Sequence, residues 1–461
     1  MTRLDNPPLT PGTPAVVTRP LSRHVDPARR PAPPERMTIA EILAAFLPAE
    51  TPLRIRSYDG SVFGSADADL ELELVSRRAV QYVVTAPGDL GLARAYLSGE
   101  MRVRGVHPGA PHDLFAVLEK VRKQDARRPD ARTLARVARS LGMEALHRPP
   151  VPELEVAPAW QRVLHGLRRH SRERDSEVVS YHYDVSNRFY ELVLGPSMTY
   201  TCAVYPRPDA TLEEAQEEKY RLVHDKLALQ PGDRLLDLGC GWGGMVRHAA
   251  RRGVRAIGVT LSAEQAAWGR AAIAAEGLSD LAEVRLQDYR DVPERGFDAV
   301  SSIGMTEHIG RHHYADYFAE VLGLLRPGGL FLNHCITRPV NDGGAHAGQF
   351  IDRYIFPDGE LCGAGTIMTS IQDAGLEVHH AENLRQHYAR TLAGWCANLV
   401  EHWDECVAEV GEEKAKLWGL YMGACQYGFE TDVTELFHVL AQRPLAAREP
   451  APVPLRPWWS A

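Results

Sequence analysis

The stretch Arg234-Leu-Leu-Asp-Leu-Gly-Cys-Gly-Trp-Gly-Gly244 constrains the fold more than any other part of this chain. It reads as a short buried strand that breaks into glycines and starts a helix near Met245. Glycines at 239, 241 and 243 let the backbone turn tightly and approach a ligand that a side chain would push away. In a doubly wound sheet, the crevice at the carboxyl end of the first strand is where a nucleotide-like cofactor binds. The spacing is G-x-G-x-G rather than the dinucleotide pattern G-x-G-x-x-G, and Asp237 precedes the glycines. Both features suit a cofactor without a pyrophosphate, with S-adenosylmethionine (SAM) the leading candidate.

At 461 residues the chain exceeds one ordinary domain, which predicts two domains plus tails. No apolar run reaches the roughly 18 residues that span a bilayer, and the proline-rich N-terminus has no apolar signal core. A cytoplasmic protein is expected. Seven cysteines without a C-x-x-C pair argue for reduced thiols over a disulfide framework or a structural zinc site. The net charge of −8 hides an asymmetry: residues 120–174 hold fourteen Lys and Arg against six Asp and Glu. Such a run is either a solvated helix face or a patch that docks on something anionic, nucleic acid or a phospholipid surface.

Residues 1–36 contain nine prolines and read as a disordered tail. Order is expected from Met37, with Thr38 and Glu41 as a capping box for a helix Ile39–Phe46. Alternating segments at 53–58, 70–74 and 79–84 read as strands, and 89–97 and 111–123 as helices, giving a small α+β domain over 37–120. A basic helical connector follows over 121–179. Its second helix, from Pro158 to about Arg174, carries Trp160, Val163, Leu164 and Leu167 as an apolar stripe. From 180 to 442, apolar strands at 234–238, 255–259, 282–286, 297–303 and 329–334 alternate with helices beginning near 212, 262, 314 and 365. That alternation predicts an α/β fold with a parallel, Rossmann-like sheet. A loose tail is expected over 443–461.

Two further features point to SAM. The second strand ends Gly258-Val-Thr-Leu-Ser-Ala-Glu-Gln265, with no acid at its tip to hold ribose hydroxyls. Thr260 and Gln265, at the mouth of the next helix, are the polar groups positioned to replace it. After the third strand, Gln287-Asp288-Tyr289 offers an acid and a ring to an adenine edge and face. By contrast, the pair His308 and His312 does not predict a metal, because Gly310 interrupts the helix and Glu307 lies outside the pair.

The segments His182-Tyr-Asp-Val-Ser-Asn187, Tyr200-Thr-Cys-Ala203, Leu235–Gly243, Gly304-Met-Thr-Glu-His308 and Tyr354-Ile-Phe-Pro357 resemble the cyclopropane-fatty-acyl-phospholipid synthases, a family that includes the mycolic acid cyclopropane synthases. The likeness covers 180–442 and, more weakly, the N-terminal domain of that family. Ala86-Pro-Gly-Asp-Leu-Gly-Leu-Ala-Arg-Ala-Tyr96 is similar to members that make 10-methylene acyl chains. The resemblance implies a SAM-dependent methyltransferase acting on a cis alkene in a phospholipid acyl chain, at the inner face of the membrane. It implies a cofactor set of Tyr200, Thr201, Asp237, Gly239, Cys240, Gly241, Gly243, Thr260, Leu261, Gln265, Gln287, Asp288 and Tyr289. It also implies a catalytic site at Cys202, Glu307, His334, Ile336 and Tyr388 holding a bicarbonate ion that takes the proton. A cyclopropane and a methylene product stay open, the latter calling for a partner reductase, as does a homodimer. Two alternatives also remain: methylation of a soluble small molecule, and an RNA methyltransferase using the basic run. Against nucleic acid, no stacking aromatics interleave the arginines of 120–140.

Overall fold

The computed structural model describes residues 36–124, 128–155, 186–341, 348–357, 359–445 and 456–460. Its first helix, Ile39–Phe46, starts where its sequence says it should. Thr38 accepts from the Glu41 amide while Glu41 accepts from the Thr38 amide, so two otherwise orphaned donors are satisfied. Strands β1 (Arg54–Ser57), β2 (Val62–Phe63), β3 (Glu71–Leu74) and β4 (Met101–Arg104) form a four-stranded sheet in the order β2-β1-β3-β4.

The expected strand at 79–84 is instead part of the helix Arg77–Thr85. Ser76 caps it by accepting from the Arg78 amide, and Ala79 and Tyr82, three apart, turn the same way into the core. Tertiary burial on a helical spacing overrides the β-branched preference of Val80, Val83 and Val84. The helices Asp89–Leu97 and His112–Lys123 form as expected.

The second sheet has seven strands: β5 (Arg234–Leu238), β6 (Arg255–Thr260), β7 (Ala282–Leu286), β8 (Phe297–Ile303), β9 (Leu325–Thr337), β10 (Glu377–Asn383) and β11 (Glu435–Gln442). Their order is β10-β11-β9-β8-β5-β6-β7. The first five are mutually parallel. β11 runs antiparallel to both β9 and β10, so the sheet is mixed rather than wholly parallel. The chain leaves β5 toward β6 on one side and later returns to β8 on the other. That reversal opens a crevice at the carboxyl ends of β5 and β8. Crossover helices Gly244–Ala250, Ala263–Ala275, Tyr314–Leu324 and Ala364–Asp373 begin within a residue or two of their expected starts.

One hydrophobic cluster links the two parts of the chain. It runs from Leu53, Tyr82 and Leu97 to Phe189, Trp395 and Trp418. The helix Glu412–Glu430 packs on His112–Lys123, and Gly419 makes this possible: a Cβ there would lie 2.1 Å from the Pro108 carbonyl oxygen. Within the basic run, the helix Ala131–Leu141 forms on an Asp130 cap. The expected second connector helix, the tail up to residue 35 and residues 182–185 lie outside the described residues. At the other end, Trp458 donates from Nε1 to the Asp225 carbonyl at 2.8 Å.

A buried ionic hub ties the first part of the chain to the segment before Tyr354-Ile-Phe-Pro357. The Glu155 side chain is fully buried and accepts two hydrogen bonds of 2.6 Å from Arg94. It also pairs with Arg353 and accepts from the Tyr354 hydroxyl at 3.0 Å. Glu155→Gln leaves two nearly buried guanidinium groups without their counter-charge, which costs about 3–5 kcal/mol. Thermal unfolding should show a clearly lowered midpoint; a loss below about 1 kcal/mol would refute this weight for the hub.

Candidate active site

At the carboxyl edge of the parallel strands lies a cavity of about 470 Å³. The turn after β5 forms its floor. Gly239, Gly241 and Gly243 have φ of 70°, 55° and 76°, a region side chains disfavour. At Gly239 the space is also taken, since a Cβ would sit 3.0 Å from Met305 Sδ. Backbone, with no intervening side chain, therefore faces the cavity at Gly239 and Gly241.

Around this turn the sequence-derived set converges, with three exceptions. Tyr200, Thr201, Asp237, Cys240, Thr260, Leu261, Gln265, Gln287 and Tyr289 all line the cavity, as do Glu307, His334, Ile336 and Tyr388. Cys202, Gly243 and Asp288 do not. Gly243 instead begins the helix Gly244–Ala250. Both Asp288 oxygens are held by Arg290 at 2.6–2.9 Å, so Arg290 rather than Asp288 borders the space. Cys202 is fully buried, with Sγ 3.1 Å from the Ala203 carbonyl. Burial pushes its thiol well above the ordinary range, which leaves little thiolate for nucleophilic chemistry.

Around the glycine turn the cavity wall carries buried polar groups. Thr260 Oγ1 donates to Gln265 Oε1 at 2.8 Å, and both side chains are buried at the mouth of β6. Asp237 accepts from Ser301 on the adjacent strand β8 at 2.6 Å. Burial raises its carboxyl to about 7. Facing it is Lys219, which sequence reasoning missed. Its ammonium is fully buried, donates to Thr201 Oγ1 at 2.9 Å and sits 4.2 Å from the Tyr220 ring centroid. Burial lowers it to about 7. A signal was present: Ala215, Lys219, Val223 and Lys226 fall on one stripe of the helix Leu212–Lys226, and all are buried. A lysine on an apolar stripe is rarely a solvated one.

The other end is apolar and aromatic. Phe350, Phe356, Leu392, Tyr421, Phe429 and Leu436 continue the wall away from the glycines. The Tyr200 hydroxyl donates to that of Tyr421 at 3.1 Å, and the Tyr388 ring lies 4.5 Å from Phe429. Glu307 and His334 also line the cavity. Glu307 Oε1 accepts from the Ile336 amide at 2.7 Å, while Oε2 is buried and without a hydrogen-bond partner. His334 Nδ1 lies 2.8 Å from His438 Nε2, and its Nε2 is likewise buried and unpartnered. Burial pushes the Glu307 carboxyl up to about 7 and the His334 imidazole well down. Two buried polar atoms without protein partners thus stand in one wall of the cavity. Nearby, Gly310 at φ 80° ends the helix Thr306–Ile309, so His308 and His312 fall on separate elements.

A profile of the mycolic acid cyclopropane synthetase family matches residues 170–439. The chain belongs to that family. It is a SAM-dependent methyltransferase of the cyclopropane synthase group. A probable fatty acid methyltransferase of Mycobacterium tuberculosis is 58% identical over 92% of this chain and 99% of its own. A tuberculostearic acid methyltransferase of the same organism is 31% identical over 89% and 92%. Among solved structures, a mycolic acid cyclopropane synthase complexed with SAH and CTAB superposes with a TM-score of 0.54 at 32% identity, over 60% of this chain and 99% of that one.

The raised Glu307 carboxyl has a consequence for stability. The folded enzyme keeps this proton up to about pH 7, whereas the unfolded chain releases it near 4.5. Folded protein thus binds more protons between those values, and this group's contribution falls as pH rises through that window. Glu307→Gln abolishes the fall while keeping an acceptor for the Ile336 amide. The ligand-free variant should therefore gain stability relative to wild type from pH 5 to pH 8, by up to about 3 kcal/mol. Denaturant unfolding at both pH values measures it, and a pH-independent difference would contradict the assignment.

Proposed function

We propose that this enzyme transfers a methyl group from SAM to the cis double bond of a phospholipid-bound acyl chain, giving a cyclopropane or a 10-methylene product. The observation that carries this reading is that one cavity is lined by the glycine turn, by Glu307 and His334, and by a set of apolar and aromatic side chains. A soluble polar substrate would have no use for that wall. The names of the two M. tuberculosis relatives support fatty acyl chemistry, and both align along most of this chain, N-terminal part included.

The residues fit the cofactor. Backbone at Gly239 and Gly241 gives close access, Thr260 and Gln265 replace the usual ribose acid, and Lys219 offers a cation to a carboxylate. Bound SAM supplies a methyl on a sulfonium, electrophilic enough for a weakly nucleophilic alkene. The wall holds the alkene in register with it, and such positioning is worth roughly 7–11 kcal/mol. Positive charge then develops on the acyl carbons, where the faces of Tyr388, Tyr421 and Phe429 stabilise it by about 2 kcal/mol or more once water is excluded. Exclusion of water also keeps that charge from ending as an alcohol.

Glu307 Oε2 and His334 Nε2, with the phenol of Tyr388, would hold a small anion such as bicarbonate, which places a base beside the reacting carbons. The carbon skeleton gains CH2 in either product, and one proton leaves. Loss from the transferred methyl with ring closure gives the cyclopropane. Loss after a hydride shift leaves a methylene, which a partner reductase could convert to a methyl branch.

Access to the lipid is through a peripheral docking surface. Among the described residues no helix is long and apolar enough to cross a membrane. The segment 131–151 exposes Arg132, Arg136, Arg139 and Arg148 beside Leu134, Met143, Leu146 and Val151, a basic rim around apolar side chains suited to an anionic bilayer. Replacing Arg132, Arg136 and Arg139 by Gln should weaken sedimentation with phosphatidylglycerol vesicles by roughly fivefold per charge. Binding indifferent to lipid charge and salt would dismiss the surface.

The chemistry is tested by expressing the enzyme in a host supplied with oleoyl phospholipid and examining the extracted fatty acids by proton NMR. Cyclopropane and exocyclic methylene protons are well separated, so either product is recognised directly. Absence of both, with SAM binding intact, would sink the proposal.

A further inference from the structure

A line of four buried or half-buried groups leads from the protein surface to the cavity wall. Glu382 on β10 is partly exposed, and its Oε2 lies 2.5 Å from Lys226 Nζ, which is fully buried. Lys226 Nζ lies 3.1 Å from His438 Nδ1 on β11. His438 Nε2 lies 2.8 Å from His334 Nδ1 on β9, where the two residues are direct cross-strand partners. His334 Nε2 ends the line, buried, unpartnered and in the cavity wall.

The donor inventory orients this line. An ammonium has three donors and no acceptor; burial pulls Lys226 below the ordinary lysine range, and the Glu382 carboxylate, 2.5 Å away, opposes that pull and favours its charged form. Lys226 therefore donates to His438 Nδ1. A neutral imidazole carries one proton, so that of His438 sits on Nε2 and is donated to His334 Nδ1. The His334 proton is then on Nε2. Both rings stay neutral because they are buried and face further cations: Lys219 and Lys226 bear on both, and His380 of β10 on His438. Trp459 covers the outer end, with its ring 5.0 Å from His380 and 5.7 Å from Lys226 Nζ.

We infer that Glu382, Lys226 and His438 are positioning residues that lock His334 as an N–H donor toward the cavity, where it binds the oxygen of an acceptor anion beside Glu307. This rests on the reading of His334 as a site residue. The ordering is polar: were Lys226 an uncharged amine accepting from His438, each imidazole would reverse and His334 would present a lone pair. A lone pair repels an anion that an N–H binds, so the lysine's charge decides what the cavity offers.

The tautomer can be read without activity. In wild-type enzyme labelled with 15N-histidine, and assigned with His334→Gln and His438→Gln, His334 should show a protonated Nε2 and an unprotonated Nδ1. Lys226→Met should mix or invert that pattern and raise the bicarbonate concentration needed for half-maximal rate by roughly 10-fold or more, with SAM affinity unchanged. Lys226→Arg, still a donor-only cation, should restore both. A wild-type His334 protonated on Nδ1, or a Lys226→Met spectrum and bicarbonate dependence like wild type, would overturn the relay and leave the site reading standing. A His334→Gln enzyme as active as wild type would overturn the site reading itself, whatever the tautomer.

Discussion

Everything at the working end of this molecule depends on the turn that follows β5. There the backbone must reverse within a few residues while presenting peptide groups to a ligand, and only glycine takes the left-handed conformations at 239, 241 and 243 without strain. Because β5 is the strand from which the chain departs first to one side and then to the other, the turn lies at the sheet's reversal point. Thr260 at the end of β6, Ile303 and Gly304 at the end of β8, and His334 on β9 are brought to the same edge by parallel pairing.

Burial does the remaining work. The cavity is walled by aromatic and aliphatic side chains, so each polar group left in it is expensive in its charged form. Asp237, Lys219 and Glu307 are all moved toward neutrality for that reason, the first two from opposite directions to about 7. Groups so poised exchange charge state easily when a cofactor, substrate or anion enters. Two polar atoms in that wall, Glu307 Oε2 and His334 Nε2, are left without hydrogen-bond partners within the protein.

Much of the architecture was legible along the chain. β5, β7 and β8 begin and end where apolar runs do, and the capping box at Thr38 and Glu41 announced its helix. The strand expected at 79–84 failed because its β-branched residues are used on a helical spacing. β10 was passed over because Glu377-Val-His-His-Ala-Glu-Asn383 is too polar to read as a strand; it is an edge strand paired only with β11. β11 was overlooked beside the long helix before it, and with it went the antiparallel insertion. In the site, motif order picked out residues that line one cavity, the glycine turn, Glu307 and His334 among them. It could not show that the Asp288 carboxylate pairs with Arg290 two residues on.

The sequence by itself determined the glycine turn, the parallel alternation around it and the identity of the polar residues at the strand ends. These are local matters, set by backbone conformation and by the period of apolar residues. Only the tertiary structure decided which buried polar groups meet. Lys226 and His438 lie 212 residues apart, and His334 meets His438 only because β11 inserts between β9 and β10. A hydrogen bond's direction depends on every donor and acceptor around it in space, and no spacing along the chain encodes that.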